Sequence, residues 1–242
     1  MYNHRQTVNS NRPIIHAVLF DLDGVLIDSM PHHVRAWQEE FAAWGVEVDP
    51  LIFCLREGEK AAATLAFAAQ EYGLILTEDQ AHRFVESKRR RYRTTAPKHL
   101  IDGAIDVLKT LRHSGIKTAL VTGSIRRNLD HSISKDEQNL FDAIITADFC
   151  THGKPDPEPY LRASEALNIP PEHCLAVENA PLGIQSAKAA GIYTLALTST
   201  LPTKYLKGAD RIIDDLADIL HHGAYILQSF PPYDSRGEQK GG

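Results

Sequence analysis

The sequence predicts an α/β fold: a parallel sheet covered by helices, with an all-helical insertion between its first two strands. Three observations carry this. From Asp102 onward, helical and strand patterns alternate, the rhythm of a parallel sheet wrapped on both faces. Residues 30–97 carry helical patterns and no comparable strand. Ahead of them lies one apolar run, His16 to Phe20, which alone would have no partner and is therefore assigned to the later sheet.

At 242 residues the chain is long enough to bury a sizeable core, and its 43% hydrophobic and 24% charged composition is ordinary for a globular protein. A net charge of −5 leaves no overall electrostatic footprint for nucleic acid. No apolar run approaches the roughly 20 residues needed to span a bilayer. The polar opening MYNHRQTVNSNRP lacks an apolar signal core and is read as a tail, with the protein cytoplasmic. Cys54, Cys150 and Cys174 show no C-x-x-C spacing and suit reduced packing thiols rather than disulfides or a zinc site.

Taken in order, residues 1–12 are expected to be a disordered tail and 13–29 the first part of the α/β core. His16–Phe20, β-branched and aromatic, ends in Asp21 and Asp23 and a turn at Gly24. The helical insert, 30–97, reads as PHHVRAWQEEFAAWG, EKAAATLAFAAQEYG and TEDQAHRFVESKRRRYR, with Gly45 and Gly73 as helix stops. The core resumes over 98–230. Helix GAIDVLKTLRHSG precedes strand IKTALV, and after a further helix come strand AIITAD, helix PEPYLRASEALN, strand CLAVE, helix PLGIQSAKAAG and strand IYTLAL. RIIDDLADIL adds a last short strand and helix, and 231–242 reads as a flexible tail.

In parallel sheets ligands bind beyond the carboxyl ends of the strands. There this chain places Asp21 and Asp23, then Thr122, Gly123 and Ser124, then Lys154, then Glu178 and Asn179. Carboxylates for a nucleophile and a hard cation, hydroxyl and N–H donors for phosphate oxygens, and one lysine together make a phosphoryl-transfer set. Alone, each has a plainer reading. The aspartates suit a capped turn, Thr122 a helix cap, Lys154 a solvated loop, and Glu178 a partner for Lys154.

DLDGVLIDS, LVTGS, GKPDPEPY and AVENAPLGIQSAKAAGI, in this order, resemble the four signature motifs of the haloacid dehalogenase superfamily, and more narrowly its β-phosphoglucomutase-like phosphatases with a helical cap. The match runs from Ala17 to about Asp210. The resemblance implies a Rossmann-like core and Mg²⁺-dependent phosphatase chemistry on a small phosphorylated metabolite, a sugar phosphate or similar, through an aspartyl-phosphate. Asp21 would be the nucleophile, ionised near neutrality, and Asp23 the acid and base. Thr122 would touch the transferring phosphoryl group beside the N–H groups of Gly123 and Ser124, and Lys154 would neutralise charge. The metal would take the Asp21 carboxylate, the Asp23 carbonyl and the pair Glu178 and Asn179, where many relatives carry Glu-Asp. Members that break carbon–halogen bonds lack the second aspartate, so Asp23 argues against a dehalogenase.

Substrate choice falls to the cap. FCLREGEK breaks two helices, and Arg56, Glu57, Gly58 and Lys60 are its candidate substrate contacts; the plainer reading is a helix stop at Gly58 among solvated charges. Asp28 and Ser29 suit a hinge or a helix cap, His32 and His33 exposed helix positions, and Lys88 with Arg89, Arg90, Arg91 and Arg93 a solvated face. EGEK with VENAPLG also resembles a subgroup containing inorganic pyrophosphatases. A β-phosphoglucomutase-like phosphohexomutase and a non-catalytic phosphate-binding module stay open. The expected partner is a small phosphorylated substrate, with neither nucleic acid nor membrane, and a monomer is favoured.

Overall fold

The computed structural model describes residues 15–220. The tails expected at 1–12 and 231–242 lie outside these residues, as do the outermost core residues on either side. Strand β1 (Ala17–Phe20) is followed by four helices, α1 (Met30–Ala43), α2 (Leu51–Leu55), α3 (Ala61–Glu71) and α4 (Glu78–Thr95). Then come α5 (Ala104–His113), β2 (Lys117–Val121), α6 (Arg126–Ser132), α7 (Lys135–Gln138), β3 (Ala143–Ile145), α8 (Glu158–Leu167), β4 (Cys174–Glu178), α9 (Pro181–Ala189), β5 (Tyr193–Leu197) and β6 (Arg211–Ile213).

The described strands form one six-stranded sheet in the order β3-β2-β1-β4-β5-β6, and each neighbouring pair is parallel. The order places the first strand at the centre, so the carboxyl ends of β1, β2 and β4 lie side by side. Period-two alternation assigns the faces. Val18, Phe20, Leu120, Leu175 and Val177 pack with Val107, Leu108 and Leu111 of α5 on one side. The smaller Ala17, Ala119, Cys174 and Ala176, with Leu19 and Val121, face Tyr160 and Ala163 of α8 and Ala187 of α9 on the other. Small side chains on that face let α8 and α9 approach the sheet, which brings Tyr160 close to the end of β4.

The insert has its own core, made of Trp37, Phe41, Phe53, Leu65 and Phe84. Trp37 and Phe53 stack at 5.5 Å between ring centroids, and Phe41 meets Phe84 edge-on at 4.8 Å, geometries that add to area burial. Helix α4 begins in a reciprocal capping box between Thr77 and Gln80, with Glu78 and Asp79 in its first turn and Arg93 in its last, each favourable to the helix dipole. The short helix α2 has no counterpart in the sequence expectation, because five residues are too few to display a 3.6-residue period. The three cysteines are free thiols, with Cys150 and Cys174 buried and Cys54 partly so. No helix among the described residues is long and apolar enough to cross a membrane.

Candidate active site

The parallel ladder runs one residue past the named strands and fixes the site's backbone. Asp21 N–H donates to the Val177 carbonyl at 3.0 Å, and Thr122 N–H to the Ile145 carbonyl at 2.9 Å. Asp21 is fully buried at this edge. The Lys154 ammonium reaches its Oδ1 at 2.5 Å, Glu178 Oε1 at 2.7 Å and the Val121 carbonyl at 3.2 Å, so each of its three protons has an acceptor. Tyr160 donates to the same Glu178 oxygen at 2.6 Å.

Asp23 is held differently. Ser29 Oγ donates to its Oδ1 at 2.6 Å and His33 Nε2 lies 3.0 Å from the same atom. Its Oδ2 faces the hydroxyls of Ser124 at 3.2 Å and Thr122 at 3.4 Å. Lys88 Nζ meets His33 Nδ1 at 2.8 Å, and Tyr92 stacks on the His33 ring at 3.8 Å. When Lys88 is charged it can only donate to Nδ1, which puts the imidazole proton on Nε2, pointing at Asp23. The chain Lys88, His33, Asp23 thus joins α4 and α1 of the insert to the turn after β1.

The insert also covers the site from above. Glu57 is buried, and its carboxylate with those of Asp21 and Glu178 offers three oxygens within 4.8 Å of one another. Gly58 adopts φ +84°, which a side chain disfavours, and a Cβ there would stand 2.6 Å from Lys154 Cδ. A Cβ on Gly123 would stand 2.3 Å from the Gly58 carbonyl oxygen. Two glycines therefore let the insert's tip rest on the loop after β2. Beside this contact lies a cavity of about 70 Å³, bordered by Asp23, His33, Trp37, Glu57, Lys88 and Ser124.

Charge separates the two aspartates. Burial pushes the Asp21 carboxyl up to about 8, aided by Glu178 and Asp23, against the opposing pull of Lys154. Burial and Asp21 likewise raise Glu57. Lys154, although burial opposes its charge, is held well above its usual value by Asp21 and Glu178. Burial favours the neutral acid at Asp23 too, yet His33 and Ser29 hold it down at about 2. Burial and Lys88 lower His33, so near neutrality it is a neutral donor and acts on Asp23 through the hydrogen bond. Burial brings Lys88 down to about 7.

The arrangement suits a cation. Asp21 Oδ2, Glu57 Oε2 and Asn179 Oδ1 are buried oxygens without a hydrogen-bond partner. Such atoms cost stability unless something positive meets them. The expectation that Asp21 is ionised by default needs that correction, because with Lys154 as the sole counter-charge the burial of several carboxylates favours its protonated form. An all-oxygen donor set fits a hard divalent ion.

Several residues sit differently from their sequence-based expectation. Lys60 donates to the carbonyls of Cys150 at 2.6 Å and Thr151 at 3.0 Å, tying insert to core away from the cavity. Arg56 borders the cavity, but its guanidinium pairs with Glu59 and lies 3.8 Å over the Phe67 ring. Asn179, by contrast, keeps to its expectation: its amide donates to the Asp23 carbonyl at 3.0 Å and to Thr200 at 2.8 Å, and the Oδ1 expected to meet a metal has no partner. The Ser124 N–H is taken by Thr122 Oγ1 at 3.0 Å, so it is the Ser124 hydroxyl that faces Asp23. Neither Ser29 nor Thr122 caps a helix through its side chain. Asp28 is exposed.

His33 and Lys88, expected at exposed helix positions, are largely buried. Their spacing held the signal. His33, Trp37 and Phe41 recur at i, i+4 and i+8, as do Phe84, Lys88 and Tyr92, so both polar residues lie on the apolar stripe of their helices. Tyr160, the last residue of GKPDPEPY, and Thr200, outside all four motifs, also contact site residues, Glu178 and Asn179. For Tyr160 the clue was its place on the buried face of α8, and no local pattern marks Thr200.

The family model for haloacid dehalogenase-like hydrolases matches residues 15–191, most of the chain. The chain belongs to this family. A relative, validoxylamine A 7'-phosphate phosphatase of Streptomyces hygroscopicus subsp. limoneus, is 32% identical over 83% of this chain and 94% of its own length. Hexitol phosphatase A of Escherichia coli is 31% identical over 83% of this chain and 91% of its own. Among solved structures, CbbY from Rhodobacter sphaeroides in complex with phosphate is 26% identical, with a TM-score of 0.71 over 85% of this chain and 96% of that one. Within the haloacid dehalogenase-like family this chain is a phosphatase-type enzyme with the β-phosphoglucomutase-like architecture.

Proposed function

We propose that the protein is a Mg²⁺-dependent phosphatase that hydrolyses a small phosphorylated metabolite of the sugar-phosphate kind through an aspartyl-phosphate on Asp21. The observation that carries this is the pair of aspartates in opposite electrostatic settings. Asp21 lies in the carboxylate and lysine centre with one oxygen free, and Asp23 sits a turn away on a hydrogen-bonded chain of its own.

Asp21, Glu178 and the Oδ1 of Asn179 would hold Mg²⁺, which when bound supplies positive charge against the phosphate oxygens. Lys154 holds the Asp21 carboxylate in place through Oδ1, and that carboxylate attacks phosphorus. The leaving oxygen departs with a proton from Asp23. Because Asp23 rests ionised, that proton arrives along Lys88 and His33, and Lys88 is poised near neutrality to give it. Once the phosphoryl group is on Asp21, the ionised Asp23 is the base for the attacking water. Gly58 and Glu57 close over the reacting atoms and limit the water present.

A pyrophosphatase is the second reading, favoured by Glu57, whose buried carboxylate would otherwise face phosphate unscreened. The test is turnover of sugar phosphates, polyol phosphates and pyrophosphate with Mg²⁺, each with Asp21→Asn beside it. Sugar-phosphate hydrolysis that falls by ~10⁵ or more in Asp21→Asn supports the covalent route. Hydrolysis retained in that variant overturns it. Pyrophosphate turnover with greater sensitivity to Glu57→Ala than sugar phosphates show would transfer the assignment to the second reading.

A further inference from the structure

On the outer side of the junction between insert and core, away from the cavity beside Asp23, α4 and α6 border a shallow, open depression of about 600 Å³ lined by Arg90, Arg93, Thr94, Arg127, Asp130 and His131. Three guanidinium groups from two parts of the fold meet there, and their charge is not balanced locally. Asp130, the acid of the cleft, is already engaged by Lys135 at 2.8 Å and Arg126 at 3.1 Å. Neighbouring arginines have carboxylate partners, Arg89 with Glu86 and Arg91 with Glu40. Arg90 and Arg127 have no ion-pair partner among the described residues.

Crowding of like charge costs free energy unless an anion relieves it. Arg93 feels this directly: burial first, and then Arg127, Arg89 and Arg90, lower its proton affinity, with Glu86 opposing. It is nevertheless held in place, because its Nη1 donates to Asn128 Oδ1 at 2.9 Å and its carbonyl accepts from His131 Nε2 at 2.6 Å. A fixed guanidinium flanked by two exposed, unpaired ones offers planar donor forks that match phosphate oxygens two at a time.

We infer that the cleft between α4 and α6 is a second anion site, binding a small compound that carries two or more phosphate charges across the junction of insert and core. The occupant is small because the basic patch is local, bounded by Glu86 and Asp130 on a chain of net charge −5, which lacks the extended stripe a nucleic acid requires. The consequence follows from the two helices. Helix α4 carries Lys88 on its inner side, α6 follows the Thr122–Ser124 loop, and Asn128 borders both the cavity and the Arg93 contact. An anion pinning α4 to α6 holds the insert in its closed position and couples the outer cleft to the proton chain ending at Asp23.

The test is calorimetric titration of the full-length protein with methylenebisphosphonate, which cannot be hydrolysed, at constant free Mg²⁺. The wild type should show two binding phases. Arg90→Gln with Arg127→Gln should weaken one of them by roughly 10²-fold, since each lost charge-assisted hydrogen bond accounts for about a factor of ten or more. The exposed pair Lys109→Gln with Lys207→Gln, which removes the same charge elsewhere, should leave both phases intact. Identical isotherms for the arginine variant and the wild type overturn the inference, and so does an equal loss in the lysine control. Binding of a short DNA duplex that the arginine variant loses, with no second bisphosphonate phase in the wild type, overturns it in favour of nucleic acid. Because the readout is binding and not turnover, these outcomes are independent of what happens at Asp21.

Discussion

The two walls of the active site are built on different principles. The core wall is made by backbone: parallel strands end side by side, and Asp21, Thr122 and Glu178 occupy consecutive strand ends whatever their side chains do. The insert wall is made by packing: His33 and Lys88 arrive from two helices whose positions depend on Trp37, Phe41 and Phe84. On the proposed mechanism the core therefore sets which atoms react, and the insert sets their protonation and their access to water. A substitution in the first should remove the reaction, and one in the second should retune it.

Substitutions ranked by size of effect sharpen that contrast. Asp23→Asn keeps the shape but cannot carry the proton, and kcat for the best sugar phosphate should fall by ~10² to 10⁴. A smaller fall than for Lys88→Met would place the proton-handling group on the insert instead. Lys88→Met should cost ~10-fold to 10²-fold, with a change in pH profile as its signature. In the wild type Lys88 is charged below about 7 and can pass a proton to His33, and above that value it has lost it, so kcat should decline as pH rises through about 7. That limb should vanish in Lys88→Met, and its survival there would remove Lys88 from the chain.

Gly123→Ala puts a methyl group against the Gly58 carbonyl and should obstruct closure, lowering kcat roughly tenfold with little loss of stability in thermal unfolding. Lys60→Met removes the two hydrogen bonds to the carbonyls of Cys150 and Thr151. Part of that ammonium is solvated, so the expected fall in kcat is the smallest, about threefold, accompanied by faster exchange of insert amides in hydrogen exchange. An effect larger than that of Gly123→Ala would show that the latch, and not contact between the glycines, controls closure.

Much of this was legible in the chain. The alternation after Asp102 and the four strand-end motifs need only local pattern, because a strand's period and a tight turn are written within a few residues. His33 and Lys88 were legible in part: each lies on an apolar stripe, yet nothing in the stripe says that a cavity with a carboxylate waits at its end. Arg56 and Lys60 show the reverse. Charged residues in a loop near a site look like substrate contacts, and their real partners, Glu59 and the Cys150 and Thr151 carbonyls, are decided by how the chain comes back on itself.

The sequence by itself determined where the proposed reacting groups stand, since an apolar run and a turn suffice to put Asp21 and Asp23 at the end of a strand. Only the tertiary structure decided their charges. A carboxyl's proton affinity depends on its burial and on neighbours that approach through space: Lys154 and Glu178 for Asp21, His33 and Lys88 for Asp23. Those neighbours are distant in the chain and adjacent only once the sheet has ordered its strands and the insert has closed.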